Sequence, residues 1–405
     1  MDRAELVELL SPEGLRLLDS LPPYQAGADV VRTVSDLRKA GHSPALVNAV
    51  LYQSRLRAKA TAKFGDFASR MLFTEAGLEQ ATRLRVAALH AGRFVEAGLK
   101  RVADVGCGIG GDAMAMAAMD LTVTAIDIDE VTATVASFNL APFPSSSVVC
   151  ADAASVDPTD FDALWFDPAR RTAGHGNTSR LTRAEDYSPN LDDVFALRER
   201  MPIGVKLGPG HDREQIPETA EAQWVSVDGK LVEMGLWFGA LARPGIRRAA
   251  LLLGKEGVVA ELTAPGDSED VGVGELGEYL YEPDGAIIRA RLIGDLARSM
   301  DALMLSEGLA YLTNATHTPT PFATAFRVLE VLPTDEKKLR VALAERKIGT
   351  LEIKKRGVDV DPATLRTRLK LKGGESGTLV LTRAAGHKVA LLVERVGRAP
   401  GAPEL

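Results

Sequence analysis

Cysteine is scarce in this chain, and its scarcity excludes whole classes of chemistry. Only Cys107 and Cys150 occur among 405 residues, so a disulfide framework cannot form. No group of cysteines and histidines has the spacing of a metal site, and we therefore expect no metal. No thiol nucleophile is available at any position after Cys150.

Long apolar runs are missing as well. No stretch of eighteen consecutive apolar residues occurs, so we expect no membrane span. Residues 1–14 lack the basic segment followed by an apolar segment that marks a secretion signal, and we expect a cytoplasmic protein. The sequence gives no indication of the oligomeric state.

Length and charge divide the chain. At about 150 residues per domain, 405 residues predict two or three domains. We predict a helical region over 1–98, an α/β domain over 99–244 and a basic α+β domain over 245–405. The net charge is −7, but residues 335–398 contain sixteen Lys/Arg and eight Asp/Glu, so this segment carries +8 and the remainder −15. Such asymmetry favours a polyanion-facing C-terminal region on an acidic body.

The most informative stretch is residues 101–129, RVADVGCGIGGDAMAMAAMDLTVTAIDID. Its pattern predicts an apolar strand, a glycine-rich turn, a helix and a second strand that ends at Asp127. Glycines let the backbone approach a ligand closely, and a helix N-terminus offers unpaired N–H groups. An acid at the end of the second strand can accept hydrogen bonds from ribose hydroxyls. The stretch therefore predicts a site for a nucleoside cofactor.

Two cofactors fit the glycine pattern, a nicotinamide dinucleotide and S-adenosylmethionine. Asp104 stands inside the apolar first strand, where it would repel a pyrophosphate but suits the positively charged amino acid moiety of S-adenosylmethionine. Asp228-Gly229 between two apolar runs predicts a two-residue hairpin. A parallel sheet that ends in such a hairpin is typical of class I methyltransferases and not of dinucleotide-binding domains. We therefore favour S-adenosylmethionine.

The motifs DVGCGIGG, AIDID, CAD (150–152) and FDPARR (166–171), with Asn139, resemble those of class I methyltransferases. The QAT segment, which contains Thr82, resembles the region before the first motif of trimethylguanosine-synthase-like enzymes. The chain is similar to a bacterial methyltransferase family in which this domain precedes a THUMP-like domain. The resemblance implies a Rossmann-like seven-stranded sheet whose last strand is antiparallel, an N-terminal helical region and a C-terminal α+β domain.

The resemblance also implies a cofactor site. Asp127 would hold the ribose, Asp152 would read the adenine amino group, and Asp104 would lie near the methionine amino group. The full set of predicted cofactor-binding residues is Thr82, Asp104, Gly106, Gly108, Gly110, Asp127, Ile128, Asp152 and Ala153.

Asp167-Pro168-Ala169-Arg170 follows the fourth predicted strand, where enzymes that methylate base amines have Asp/Asn-Pro-Pro-aromatic. We predict Asp167, Pro168 and Arg170 as catalytic residues. The second proline and the aromatic residue are replaced here, although a guanidinium plane also stacks on bases. The similar Asp-Pro-Pro-Arg of uridine C5-methyltransferases requires a later cysteine, and its absence excludes that mechanism in its usual form.

Three functions stay open at this point. The first is methylation of an RNA base nitrogen, with RNA bound through basic residues such as Lys354, Lys355, Arg356, Arg366 and Arg368. The second is methylation of a small molecule or a protein, with the basic domain serving in dimerisation or packing. The third is a noncatalytic RNA-binding protein whose altered Asp-Pro-Ala-Arg motif has lost activity.

Overall fold

The fold is known from a computed structural model that describes residues 3–24, 27–170, 186–255 and 257–397. The α-helices within these residues are α1 (Arg3–Leu9), α2 (Pro12–Ser20), α3 (Ala28–Lys39), α4 (Pro44–Phe64), α5 (Glu75–Gln80), α6 (Leu84–Glu96), α7 (Gly111–Ala118), α8 (Glu130–Leu140), α9 (Leu191–Ala196), α10 (Gly285–Arg289), α11 (Ile293–Ser299), α12 (Glu336–Glu345) and α13 (Pro362–Leu369). The strands are β1 (Arg101–Val105), β2 (Thr122–Asp127), β3 (Ser146–Cys150), β4 (Ala163–Phe166), β5 (Ala169–Arg170), β6 (Tyr187–Ser188), β7 (Ile203–Leu207), β8 (Glu221–Val227), β9 (Lys230–Phe238), β10 (Arg248–Gly254), β11 (Gly257–Ala264), β12 (Tyr279–Pro283), β13 (Leu303–Met304), β14 (Leu312–Asn314), β15 (Ala323–Leu332), β16 (Ile348–Lys355), β17 (Glu375–Ala384) and β18 (His387–Arg395).

The N-terminal helices begin where the sequence provides caps. Ser11 accepts a hydrogen bond from the amide of Gly14 at 3.0 Å, and Pro12 opens α2. Ser43 and Pro44 do the same for α4. A serine cap followed by proline satisfies one unpaired amide and removes another, so both starts are fixed locally.

The first sheet has nine strands in the order β11-β10-β8-β9-β7-β4-β1-β2-β3. Strand β1 pairs in parallel with β2 and β4, β2 with β3, and β4 with β7. Because these strands are parallel, their carboxyl ends lie along one edge, where ligands bind in open α/β sheets. The glycine turn, Asp127 and Asp167 all follow strands at this edge.

The predicted hairpin is present between β8 and β9. Asp228 and Gly229 both have positive φ, 51° and 71°, as a tight hairpin turn requires. The sheet carries two strands more than the seven that we expected. Strand β10 pairs in parallel with β8, and β11 pairs antiparallel with β10. The apolar pattern of β10 predicts a strand but does not specify its neighbour, because the pairing with β8 is nonlocal.

The chain divides into two compact units, residues 1–207 with 236–242, and residues 208–235 with 243–405. The core of the first unit joins the N-terminal helices to the sheet. Its centre is aromatic: Trp165 and Trp237 stack with ring centroids 5.2 Å apart, and Phe94 packs edge-on against both. A Cβ on Gly204 would lie 2.6 Å from the Trp165 ring, so this strand position requires glycine.

The second unit contains a seven-stranded mixed sheet in the order β13-β14-β12-β15-β18-β17-β16. Strands β15, β18 and β17 are antiparallel neighbours, and β16 joins β17 in parallel. Leucines of α12 and α13, including Leu343, Leu365 and Leu369, pack with residues of these strands in one buried cluster. This unit has the α+β character that the sequence predicts.

Candidate active site

The chain turns sharply between β1 and α7. Gly106, Gly108 and Gly110 have φ values of 81°, 57° and 84°, in the left-handed region that glycine adopts without strain. The amide of Gly106 donates to the carbonyl oxygen of Ile126 at 2.8 Å. A Cβ on Gly106 would lie 2.8 Å from the carbonyl oxygen of Asp167, so only glycine fits where the turn passes the end of β4.

Asp127 ends β2 and supports this turn. Its carboxylate accepts hydrogen bonds from the amide of Gly108 at 3.0 Å and from the amide of Asp129 at 2.9 Å. Burial raises the pKa of Asp127, while the two amides oppose that shift. The next residue, Ile128, is 67% exposed. Backbone amides therefore hold the Asp127 carboxylate beside an exposed apolar side chain at the end of β2.

Asp152 follows the end of β3. It is exposed and accepts a hydrogen bond from the amide of Ala154 at 2.8 Å, so its carboxylate is oriented by the backbone. Ala153 is half-buried beside it. Because β3 is next to β2 in the sheet, Asp152 and Asp127 both follow carboxyl ends of neighbouring parallel strands.

Asp104 is the most isolated acid of the site. It is 1% exposed, and neither carboxylate oxygen has a hydrogen-bond partner in the described part of the chain. Burial, followed by the carboxylates of Asp112 and Asp167, raises the pKa of Asp104 well above its ordinary value. Lys206 and the backbone amide of Ala113 oppose this shift but leave the carboxyl without adequate compensation.

Thr82 lies in a buried polar network. Its hydroxyl donates to Asp112 at 2.7 Å and accepts from the Nζ of Lys206 at 2.9 Å. His90 Nδ1 contacts the other oxygen of Asp112 at 2.7 Å, and the His90 ring packs on Trp165 with centroids 4.5 Å apart. Burial alone would raise the pKa of Asp112, but His90 and the other donors around it lower it.

The network ends at Asp167. Lys206 Nζ forms an ion pair and hydrogen bond with the Asp167 carboxylate, and Lys206 is 9% exposed. Strands β4 and β7 pair Phe166 with Val205, so the next residues along both strands are Asp167 and Lys206. The sequence pattern did not predict Lys206, Asp112 and His90 as site residues. One feature of the sequence does point to Lys206: it is a charged residue inside an apolar strand, as Asp104 is.

The segment before α6 is held against the glycine turn by buried amides. Asn139 accepts from the amide of Leu72 at 2.8 Å and donates to the carbonyl oxygens of Leu72 and Ile109. Gln53 forms two hydrogen bonds with the backbone of Phe73. Lys63 Nζ donates to three carbonyl oxygens of the segment that leads to Thr82, those of Leu78, Glu79 and Ala81.

The remaining predicted catalytic residues follow Asp167. Pro168 is buried, and Ala169 and Arg170 form β5, which pairs antiparallel with β6. The structure describes only the backbone of Arg170. The segment from Arg171 to residue 185 lies outside the described residues.

The basic residues of the second unit differ in their surroundings. Lys354 pairs with Glu282 at 2.6 Å and lies over the Phe326 ring, and Arg356 lies over the Tyr311 ring. By contrast, Lys355 is exposed. The basic residues that are exposed on or directly after α13 are Arg366, Arg368, Lys370 and Lys372. Thus the predicted basic stretch 354–356 presents one exposed charge, whereas four more exposed basic side chains lie on or directly after α13, among them Arg368, which pairs with Glu336 at 3.5 Å.

The described residues contain no group of three or more His, Cys, Asp or Glu side chains arranged to hold a metal ion. None of their helices is both long enough and apolar enough to cross a bilayer.

The chain has relatives among S-adenosylmethionine-dependent methyltransferases. It is 33% identical over 365 residues to proteins described as uncharacterized S-adenosylmethionine-dependent methyltransferases in two strains of Mycobacterium tuberculosis, CDC 1551 and H37Rv. The match covers 88% of this chain and 97% of the relative. The chain belongs to this methyltransferase family.

The methyltransferase shares its fold with a crystal structure assigned as a methyltransferase from Porphyromonas gingivalis W83. The TM-score is 0.73 at 19% identity, and the match covers 98% of this chain and 100% of the other. Residues 323–395 match the family described as THUMP domain-like, and residues 2–60 match a domain of unknown function. The predicted family, the class I fold, the enzyme class and the cofactor S-adenosylmethionine are thereby confirmed.

The residues of the methyltransferase fit this cofactor. S-adenosylmethionine carries a cationic amino group and no phosphate, and the buried Asp104 carboxyl offers it an anionic partner once it is ionised. The ionised group would repel a pyrophosphate. Gly108 leaves space for a ligand beside Asp127, since a Cβ at this position would have no neighbour within 4 Å.

Proposed function

We propose that this methyltransferase methylates a nitrogen of an RNA base. In this proposal Asp167 accepts a hydrogen bond from the nucleophilic nitrogen and orients it. Pro168 and Arg170 complete the base pocket. The observation that carries the proposal is the position of Asp167, directly after β4, where its backbone lies beside the Gly106 turn and its carboxylate pairs with Lys206.

The cofactor contacts belong to the same proposal. Asp127 accepts hydrogen bonds from the ribose hydroxyls, and Asp104 pairs with the methionine amino group. Asp152 accepts a hydrogen bond from the adenine amino group. The other predicted contacts are Thr82, Gly106, Gly108, Gly110, Ile128 and Ala153. The hydroxyl of Thr82 is engaged by Asp112 and Lys206, so we expect Thr82 to act by holding those residues.

For methyl transfer, the protein mainly has to orient the nucleophile towards the methyl group. The sulfonium of bound S-adenosylmethionine supplies an already electrophilic methyl group. The chain has to hold the nucleophile in line with that group and accept or orient its proton. An ionised aspartate carboxylate can accept both a hydrogen bond and a proton, and it therefore suits a nitrogen nucleophile that carries hydrogen. The alanine at position 169 removes one stacking surface of the usual motif.

RNA is supported as the substrate class by the second unit. Residues 335–398 carry +8, and the THUMP domain-like match spans residues 323–395. A basic surface of this kind neutralises phosphates and releases counterions. We propose that RNA binds through Lys355, Arg366 and Arg368, with Lys354 and Arg356 supporting that surface through their contacts with Glu282 and Tyr311.

The test is transfer of radiolabelled methyl groups from S-adenosylmethionine to fractions of cells in which the gene is deleted. We expect label in the RNA fraction, and loss of about 10²-fold or more in the Asp167→Ala variant. Binding of S-adenosylhomocysteine, measured by calorimetry, should survive this change. Label in the protein or small-molecule fraction would favour the second function, and RNA binding without any transfer would favour a noncatalytic protein.

A further inference from the structure

We propose that Lys206 is a positioning residue for methyl transfer, which acts by keeping the Asp167 carboxylate ionised and fixed in one orientation. This inference rests on the proposed role of Asp167 as the acceptor for the nucleophile. Lys206 itself need not touch the substrate. Its effect on the reaction passes through Asp167.

The geometry that supports this role starts from the sheet. Asp167 and Lys206 directly follow the paired residues Phe166 and Val205 on adjacent parallel strands, so the backbone brings the two side chains together. Lys206 is 9% exposed and also donates to the Thr82 hydroxyl at 2.9 Å. Two fixed partners on different elements restrict the ammonium, and the ammonium in turn restricts the carboxylate.

The far end of the network is equally fixed. Thr82 donates to Asp112, and Asp112 contacts His90, whose ring packs on Trp165. The hydrogen-bonded series therefore runs from the aromatic core to Asp167 without an exposed member between Lys206 and His90. Side chains held in this way have little conformational freedom left to lose when a substrate binds, which is the purpose of preorganisation.

Charge explains why a cation is needed here. Asp104 and Asp112 lie close enough to interact electrostatically, and Asp167 adds a third carboxylate to the same buried region. Neighbouring carboxylates disfavour one another's ionised forms, and a protonated Asp167 could no longer take up the proton of the nucleophile. Lys206 opposes this effect directly. Among the described residues, other charged or titratable groups around the network include His90 on α6, Lys63 on α4, Arg83 before α6 and Cys107 in the glycine turn.

A purely structural ion pair is the alternative. Buried ion pairs stabilise a fold little more than apolar residues of similar size would, because desolvation offsets the attraction. A pair retained for packing could also stand anywhere in the core. This pair stands at the carboxyl edge of the sheet, where the backbone of Asp167 lies beside Gly106. The location therefore favours a role in the reaction.

The test compares Lys206→Met, Asp167→Asn and the double variant with the wild type. Lys206→Met should lower kcat for transfer to RNA from gene-deleted cells on the order of 10- to 100-fold, as expected when a proton acceptor is no longer supported. The affinity for S-adenosylhomocysteine should change less than about twofold. The double variant should be nearly as active as Asp167→Asn alone, because Lys206 acts through Asp167.

A second measurement needs no substrate. The side-chain carboxyl of Asp167, labelled with ¹³C and assigned with Asp167→Asn, should titrate at higher pH in Lys206→Met than in the wild type. In Lys206→Arg, the Asp167 carboxyl should titrate close to the pH at which it titrates in the wild type, and part of the wild-type kcat should be retained. The matched control is Arg101→Met, which removes a surface ion pair with Asp162 at the opposite, amino-terminal edge of β1 and β4. It should leave both readouts unchanged.

The outcomes separate the two proposals. An unchanged Asp167 titration in Lys206→Met, or effects on kcat that simply add in the double variant, would overturn the role of Lys206. If the titration moves but the wild type labels no RNA, the proposed RNA substrate fails while the influence of Lys206 on Asp167 stands.

Discussion

Asp104 is a carboxyl group that the folded protein holds at a cost. It is buried, lacks a hydrogen-bond partner among the described residues, and faces two other carboxylates. Because its pKa is raised in the fold, the protonated form is favoured. The raised pKa therefore adds fully to the free energy of unfolding when the pH is below the ordinary pKa of aspartate. This contribution is lost as the pH rises through the raised pKa of Asp104.

Asp104→Asn should therefore stabilise the free protein at neutral pH and weaken cofactor binding. The amide mimics the protonated carboxyl without a buried charge, so the unfolding temperature should rise. S-adenosylmethionine should bind the wild type more tightly, with release of a proton, as the pH rises from the ordinary pKa of aspartate towards the raised pKa of Asp104, because a cationic ligand favours the ionised acid. Calorimetry in buffers of different ionisation enthalpy measures the number of protons released on binding. This proton release should be absent in Asp104→Asn.

Asp162→Asn is the matched control with the opposite sign. Hydrogen bonds from the backbone amide and side chain of Arg101 lower the pKa of Asp162, so its contribution to stability is present at neutral pH and lost on acidification. The control should lower the unfolding temperature at pH 7 and leave cofactor affinity alone. Equal effects of both variants on cofactor binding would contradict the assignment of Asp104.

The sequence reveals single residues of this site better than their partners. Asp104 and Asp127 are visible because their positions relative to the glycines are local. The pairing of Lys206 with Thr82 and Asp167 is not visible, since Thr82 is 124 residues away and Asp167 is 39 residues away. Only the pairing of β4 with β7 and the packing of the segment before α6 bring them together. A charged residue inside an apolar strand is the one local signal that such a partner exists.

At the scale of elements, the site depends on how the segment from Leu72 to Thr82 is attached. Asn139 on α8 binds this segment through Leu72 and the glycine turn through Ile109, so a single side chain joins the two. Each buried backbone group left without its partner costs about 1–3 kcal/mol. The segment is therefore part of the site wall and not a loose connection.

Asn139→Ala should weaken both the fold and the cofactor site. We expect the unfolding temperature of the first unit to fall by about 5 °C or more, because backbone groups of Leu72 and Ile109 lose buried partners. S-adenosylhomocysteine should bind more weakly, as the turn is no longer held. The control is Asn190→Ala, which removes only the cap of α9. That variant should lose about 1 kcal/mol and no affinity. Unchanged cofactor binding in Asn139→Ala would contradict the role given to this segment.

Elements whose signals are local were predicted well, and those decided by tertiary contacts were not. Asp228-Gly229 fixes its hairpin through two positive φ values. In contrast, the sequence pattern of residues 285–302 predicts one helical stretch, but the chain forms α10 and α11 with a break at Arg291, where φ is 58°. Neither glycine nor proline occurs within the break itself, residues 290–292. Packing of the buried Leu292 and Ile293 accompanies it, and sequence periodicity does not report such packing.

At the scale of the whole molecule, opposite charges are separated along the chain. Residues 335–398 carry +8 while the remainder carries −15. If the basic segment captures RNA and the acidic part performs transfer, affinity and turnover should respond to different substitutions. The surroundings of each lysine in the second unit decide which ones to change. Lys354 is paired with Glu282, so changing it would disturb the unit as well as its surface charge.

The combined change Lys355→Gln, Lys370→Gln and Lys372→Gln removes three exposed charges near α13. Each phosphate that the variant no longer neutralises should reduce the slope of log affinity against log salt by about 0.7 to 0.9, so the slope should fall by roughly two to three units. Fluorescence anisotropy with labelled RNA at several salt concentrations measures this slope. Asp167→Ala should lower turnover and leave the slope unchanged. If the triple variant has unchanged affinity and slope, these lysines belong to an ordinary solvated face. That result would favour a protein or small-molecule substrate over RNA.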